Sequence, residues 1–168
     1  MSDPNSTVPG KRIGQGMWMV FWVLVLAGLI TLFSAREDRL YHPNQQLQSS
    51  ETSEQRQILL DANRYGHYLA PGKINQQPVR FLLDTGATSV VVPEELSKSL
   101  GLKKGRKNWV NTANGSIEVY QTTIRQLQLG PIQLSNVRAS INPHMDGEIL
   151  LGMSALTNLE LNQKNGQL

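Results

Sequence analysis

The sequence predicts a mostly β domain carried behind a single transmembrane helix, and three features lead to that reading. Met17 to Phe33 is an apolar run without a charge. Ser34 to Asn63 is polar and poor in apolar residues. From Arg64 onward, short apolar runs alternate with turn residues, the pattern of closely spaced strands. The chain has 168 residues, room for one domain once the first two regions are set aside. Cysteine is absent, which excludes disulfide scaffolds, cysteine nucleophiles and thiolate zinc sites. Lys and Arg number 16 against 13 Asp and Glu, a balance of +3 that does not by itself call for nucleic acid.

Residues 1–16 form a short tail, and residues 17–33 are the expected anchor. As a helix the apolar run spans about 26 Å, near the short limit for a hydrocarbon core. Trp18 and Trp22 lie towards one end, where an indole rests at headgroup level. A cleaved signal peptide is the rival reading, but a cut after Ala35 places Phe33 where a small residue is required. A buried core helix lacks an apolar partner in the rest of the chain. Lys11 and Arg12 before the run balance Arg36 and Arg39 after it, so only the short tail leans towards a cytoplasmic N-terminus.

Residues 34–63 read as a tether, with Gln45, Gln46, Gln48, Ser49, Ser50 and Ser53 close together and at most a short helical turn over Glu54 to Leu60. Residues 64–168 read as the folded domain. Tyr65 to Ala70 is broken by Pro71-Gly72, and Val79 to Leu83 and Ser89 to Val92 have the pattern of buried strands. Pro93-Glu94-Glu95 opens a helix, with proline in its first turn and acids at its positive end, and Gly101 stops it. Trp109 to Thr112 and Ser116 to Thr123 flank Asn114-Gly115, a dipeptide favoured in hairpin turns. Ile124 to Leu129, Ile132 to Leu134, Val137 to Ile141 and Ile149 to Leu151 continue the β pattern, and Met153 to Leu159 is a short helix.

The stretch that carries chemistry runs from Phe81 to Val92, with Asp84-Thr85-Gly86-Ala87-Thr88 between two apolar strands. Strands this apolar are both buried, so the tight loop is expected to hold Asp84 against the core. A buried carboxylate is costly unless it is hydrogen-bonded or paired. Gly86 lets the backbone turn closely, with its amide free to approach a carboxylate. An acid in an ordinary turn is the plain alternative.

Asp84-Thr85-Gly86-Ala87-Thr88 resembles the active-site loop of retroviral-type (retropepsin-like) aspartic proteases. Ile149-Leu150-Leu151-Gly152, whose glycine follows Asp84 by 68 positions, looks like that family's second signature. Between them, Thr112-Ala113-Asn114-Gly115 lies where the family places its flap. Gly66-His67-Tyr68 and the run from Leu151 to Leu156 resemble the bacterial membrane-anchored branch. Together the matches cover the whole domain from Arg64 to Leu168.

The resemblance implies a small closed-barrel-like fold with one or two short helices, and an aspartic endopeptidase acting on a peptide or protein substrate. It implies a homodimer, since Asp-Thr-Gly occurs once and Asp146 lacks the loop around it. Each subunit then supplies Asp84, Thr85 braces the paired loops, and Gly86 lies beside the bound peptide. The hairpins at Ala113, Asn114 and Gly115 close over the substrate, and Leu150, Leu151 and Gly152 form the second signature. No metal and no organic cofactor is expected. A single-pass protein of a bacterial inner membrane, with the domain on the periplasmic side, fits the same branch. Leu159 to Asn162 or Gln167-Leu168 would have to supply an interleaved dimer strand, and the exposed linker is a potential first substrate. A dimeric peptide-binding or scaffold module of the same fold keeps the architecture without the chemistry.

Other constellations carry less. Gly66 to Lys73 has the wrong spacing for a phosphate loop, and no Gly-x-Ser-x-Gly elbow occurs. His42, His67 and His144 lie far apart without carboxylates at ligand spacing, and His67 reads as a hydrogen-bonded strand residue. Lys103, Lys104, Arg106 and Lys107 read as a solvated basic loop. Anionic lipid is a further possible contact for them, whereas nucleic acid would find no aromatic nearby except Trp109.

Overall fold

A computed structural model describes residues 10–52, 55–112 and 115–168. The chain divides into two compact units, Met1–Leu40 and Tyr41–Leu168.

The first unit carries helix α1 (Gly10–Tyr41), of which Gly16–Asp38 is long and apolar enough to cross a membrane. The apolar side chains from Met17 to Phe33 are exposed, except the half-buried Val25. Helical structure therefore runs on past Phe33 through residues the sequence assigns to the tether. The Thr31 and Ser34 hydroxyls donate to the carbonyls of Gly28 and Thr31, so these polar side chains are satisfied without leaving the helix.

In the second unit, β1 (Gln48–Glu51) and β2 (Arg56–Leu59) form an antiparallel pair, where the sequence suggests a tether and, over Glu54 to Leu60, a helical turn. Side-chain and terminal backbone bonds secure this region in place of a large apolar face. Asn44 is buried, donating to the carbonyls of Asp61 (2.9 Å) and Leu69 (2.8 Å) and accepting from the Asp61 amide (2.8 Å). Leu60 and Leu168 exchange both backbone hydrogen bonds at 2.9 Å, and Leu60 is buried. Gln167-Leu168, a possible interleaving strand, thus pairs with Leu60 and Asp61 of its own chain, while Leu159 to Asn162 is irregular.

The main sheet uses β3 (Leu69–Ile74), β4 (Gln77–Leu83), β5 (Val90–Pro93), β6 (Lys107–Thr112), β7 (Gly115–Leu129), β8 (Ile132–Asn142) and β9 (Ile149–Leu151). Its order is β3-β4-β9-β5-β8-β7-β6, and β3 also pairs with β7 through Lys73 and Ile74. Six strands therefore return on themselves, and β6 hangs from the free half of β7. The mostly β, closed-barrel-like expectation is borne out. Pro71-Gly72 lies within β3 instead of ending it, and the reversal falls on Asn75 and Gln76, both at positive φ, as a two-residue hairpin turn demands. The apolar runs on either side of Thr123 and of Asn136 each join into one long strand.

Alternation along these strands sends Ile74, Phe81, Ile124, Ile141, Ile149 and Leu151 inward, all fully buried, and Leu127 is also fully buried after a change of phase in β7 beside the unpaired Arg125 and Asn136. Each such side chain contributes roughly 1.5–3 kcal/mol by leaving water. Helix α2 (Glu94–Ser97) follows β5 and ends at Ser97, earlier than the sequence suggests; a turn carries the chain on to Gly101 at φ 66, and the Leu102 amide bonds back to the Ser97 carbonyl. Helix α3 (Met153–Leu156) follows β9.

Candidate active site

The core positions the loop at residues 84–89. Strand β4 runs parallel to β9, with Leu83 opposite Leu151, and β9 meets β5 through Leu150 and Val91. The two strands flanking the loop are thus fixed to the same short strand. The Asp84 amide donates to the Leu151 carbonyl at 3.2 Å, and the Ala87 amide closes the turn onto the Asp84 carbonyl at 3.2 Å. The Gly86 amide donates to Asp84 Oδ1 at 2.9 Å, so the loop's own backbone orients the carboxylate.

Helix α3 braces the loop from the other side. The Met153 and Ser154 amides, which have no partner within the helix, donate to the carbonyls of Ala87 (2.8 Å) and Thr88 (3.1 Å). Ser154 Oγ accepts from the Val90 amide at 3.0 Å and donates to the Arg138 carbonyl at 2.6 Å, joining α3, β5 and β8. Gly152 makes this approach possible: a Cβ there would lie 2.6 Å from the Ala87 carbonyl oxygen and would also overlap that of Ser89. The second signature thus acts as a backbone seat for the first, with Leu151 buried and Leu150 half-buried in β9.

Asp84 is half-buried, and Thr85 and Gly86 are exposed. This departs from the expectation of an acid held against the core. Strand β5 is largely buried, but β4 is buried only at Phe81 and half-buried at Leu82 and Leu83, so the connection between them lies at the barrel surface and the outer side of the loop is open. Asp146 is exposed between β8 and β9. Among the described residues no three His, Asp or Glu side chains gather as metal ligands.

Strands β6 and β7 form a hairpin, in register from Lys107 opposite Tyr120 to Thr112 opposite Gly115. Of the expected flap residues, Gly115 begins β7, and Ala113 and Asn114 lie outside the described residues. Thr112 Oγ1 donates to the Gly115 carbonyl at 2.8 Å, and Ser116 Oγ donates to Asn111 Oδ1 at 2.6 Å. Lys107 Nζ lies 2.9 Å from Glu118 Oε1, and this hydrogen bond and the adjacent negative charge raise the ammonium's pKa above the usual lysine value. His67 is exposed in a turn ahead of β3, its amide held by Asn63 Oδ1 at 3.0 Å.

The bracing role of Ser154 was not legible in the sequence, since it depends on the register of β5 against β8. Nor was the Ser89–Ser140 hydroxyl pair at 3.3 Å, which ties the far end of the loop to β8 across 51 positions.

Residues 70–158 match the model of the family described as gag-polyprotein putative aspartyl protease. The crystal structure of a retropepsin-like aspartic protease from Rickettsia conorii superposes with a TM-score of 0.55 at 26% identity, over 66% of this chain and 94% of that one. An uncharacterized protein in the cobV 5′ region of a Sinorhizobium species is 25% identical over 167 residues, covering 90% of this chain and 71% of its own length. An uncharacterized protein of Rickettsia prowazekii (strain Madrid E) is 21% identical over 160 residues, with 90% and 69% covered.

Proposed function

The chain belongs to the gag-polyprotein putative aspartyl protease family and has a retropepsin-like fold, and from that premise we propose that it is a membrane-anchored, homodimeric aspartic endopeptidase. The observation that carries the proposal is the half-buried Asp84, oriented by the Gly86 amide on a loop whose outer side is open. Two such loops meeting on a two-fold axis would place two Asp84 carboxyls together. Like charges at that separation resist joint ionisation, so the pair holds one shared proton. The ionised carboxylate takes a proton from water as its oxygen attacks the scissile carbonyl carbon. The protonated partner then supplies the proton that the departing amine needs.

Thr85 and Gly86, exposed beside Asp84, are the residues that would meet the partner loop and the peptide backbone. The β6–β7 hairpin would act as the flap, closing over the bound strand and excluding water. Helix α1 would hold both subunits in one bilayer. Its exposed apolar surface and its length support that part of the reading. The periplasmic side of a bacterial inner membrane is proposed with it, on the sequence resemblance to membrane-anchored bacterial relatives.

The test compares the full chain with its Asp84→Asn variant on a mixed peptide library at mildly acidic pH, with products read by mass. Cleavage that falls by about three orders of magnitude in a folded variant supports the proposal. Equal cleavage by both, or none by a confirmed wild-type dimer, contradicts it and returns weight to a peptide-binding module.

A further inference from the structure

The basic cluster after α2 is part of a larger feature. A groove of about 1220 Å³ begins at Thr88 and Ser89, the last residues of the Asp84 loop, and crosses the outer face of β8 and β7 to residues 103–106. The Gly105 amide donates to the Gln121 carbonyl and the Gln121 amide to the Arg106 carbonyl, so this segment lies along β7 as the groove's far wall. Strand alternation adds cations to the floor. Thr123 stands opposite Arg138 and Gln121 opposite Ser140, so these four side chains share the face turned away from the core, and the exposed Arg125 also lines the groove.

Five cationic side chains therefore line the groove: Lys103, Lys104, Arg106, Arg125 and Arg138. No Asp or Glu is among the lining residues. Lys104 is paired with Glu94 at 2.6 Å, whereas no ion pair engages Lys103, Arg106, Arg125 or Arg138 among the described residues. The whole chain has a net charge of only +3, so this is a local concentration of charge. A concave surface of one sign attracts the opposite sign more strongly than scattered surface charges do.

We propose that this groove is an extension of the substrate cleft that selects acidic segments, so that the enzyme prefers peptide substrates with Glu or Asp on one side of the cleaved bond. The inference rests on the proteolytic reading of Asp84 and deepens it. The groove starts four residues after Asp84, and Asn108, Val110 and Val119 of the β6–β7 hairpin form part of its wall, so a strand lying under the hairpin passes directly into it. A single-stranded nucleic acid would need stacking platforms, and the lining contains no aromatic residue. Trp109 lies on the other face of β6 from Asn108 and Val110.

The test uses the full chain in neutral nanodiscs and two fluorescein-labelled peptides, one rich in glutamate beside an apolar pair and its glutamine counterpart. Anisotropy on the Asp84→Asn chain reads binding, and cleavage by the wild type reads catalysis. The glutamate peptide should bind and be cleaved about three- to tenfold better, and the advantage should shrink with added salt. The double change Arg125→Gln with Arg138→Gln should remove most of the advantage, with an unchanged circular dichroism spectrum and melting temperature reporting an intact fold. Cleavage of both peptides with equal efficiency overturns the acidic preference and leaves the protease reading standing. Discrimination in binding without any cleavage sustains the groove and removes the protease reading. Failure to discriminate, with an arginine-dependent preference for phosphatidylglycerol nanodiscs, overturns the proposal and assigns the cations to lipid.

Discussion

Asp84 depends on its neighbours through main-chain groups. The Gly86 amide fixes Oδ1, and the α3 amides hold the carbonyls of Ala87 and Thr88. An asparagine at position 84 keeps an acceptor for Gly86, so Asp84→Asn should unfold in urea within about 0.5 kcal/mol of the wild type. A larger loss would mean that the charge itself holds the loop. Gly152→Ala is the opposite case, because the added methyl meets the carbonyl oxygens of Ala87 and Ser89. It should cost about 1–3 kcal/mol in the same measurement, and a neutral result would contradict the seat described for the loop. The Asp-Thr-Gly tripeptide and the glycine after Leu151 were legible as motifs. The half-burial of Asp84 was not, because apolar flanking strands do not say how far their connecting loop rises from the core.

The same limit recurs among the elements. Val79 to Leu83, Val137 to Ile141 and Ile149 to Leu151 announced themselves through apolar content, and the structure forms strands over each. The pair β1–β2 gave no such signal, since Gln48, Ser49, Ser50 and Glu51 are exposed and only Ile58 of β2 is half-buried. This region is secured by Asn44 and by the backbone pairing of Leu60 with Leu168, and neither leaves a periodic trace. Asn44→Ala strands the amide of Asp61 and the carbonyls of Asp61 and Leu69, and should destabilise the chain by about 1–3 kcal/mol. Faster amide hydrogen exchange at Asp61 should accompany the loss. Unchanged stability and exchange would show that the segment ahead of β1 is an appendage after all. Pro71-Gly72 misled for a different reason: a proline on β3 opposite Arg80 leaves the ladder intact where its missing donor is not needed.

For the whole molecule, a weak dimer becomes a strong one when both subunits share a bilayer, because the effective concentration rises. On the anchored reading, specific activity of residues 41–168 should fall on dilution, whereas the full chain in vesicles should hold its activity across the same range. Identical dilution curves would remove α1 from any part in activation. The most direct test of the central claim, one Asp84 from each of two chains, is to mix wild-type and Asp84→Asn full chains, let subunits exchange, and follow peptide cleavage against the wild-type fraction. A shared dyad predicts activity falling as the square of that fraction, to about a quarter at equal mixing. A linear fall, to about half, would mean that each chain works with its own residues alone, and the dimeric dyad would be contradicted.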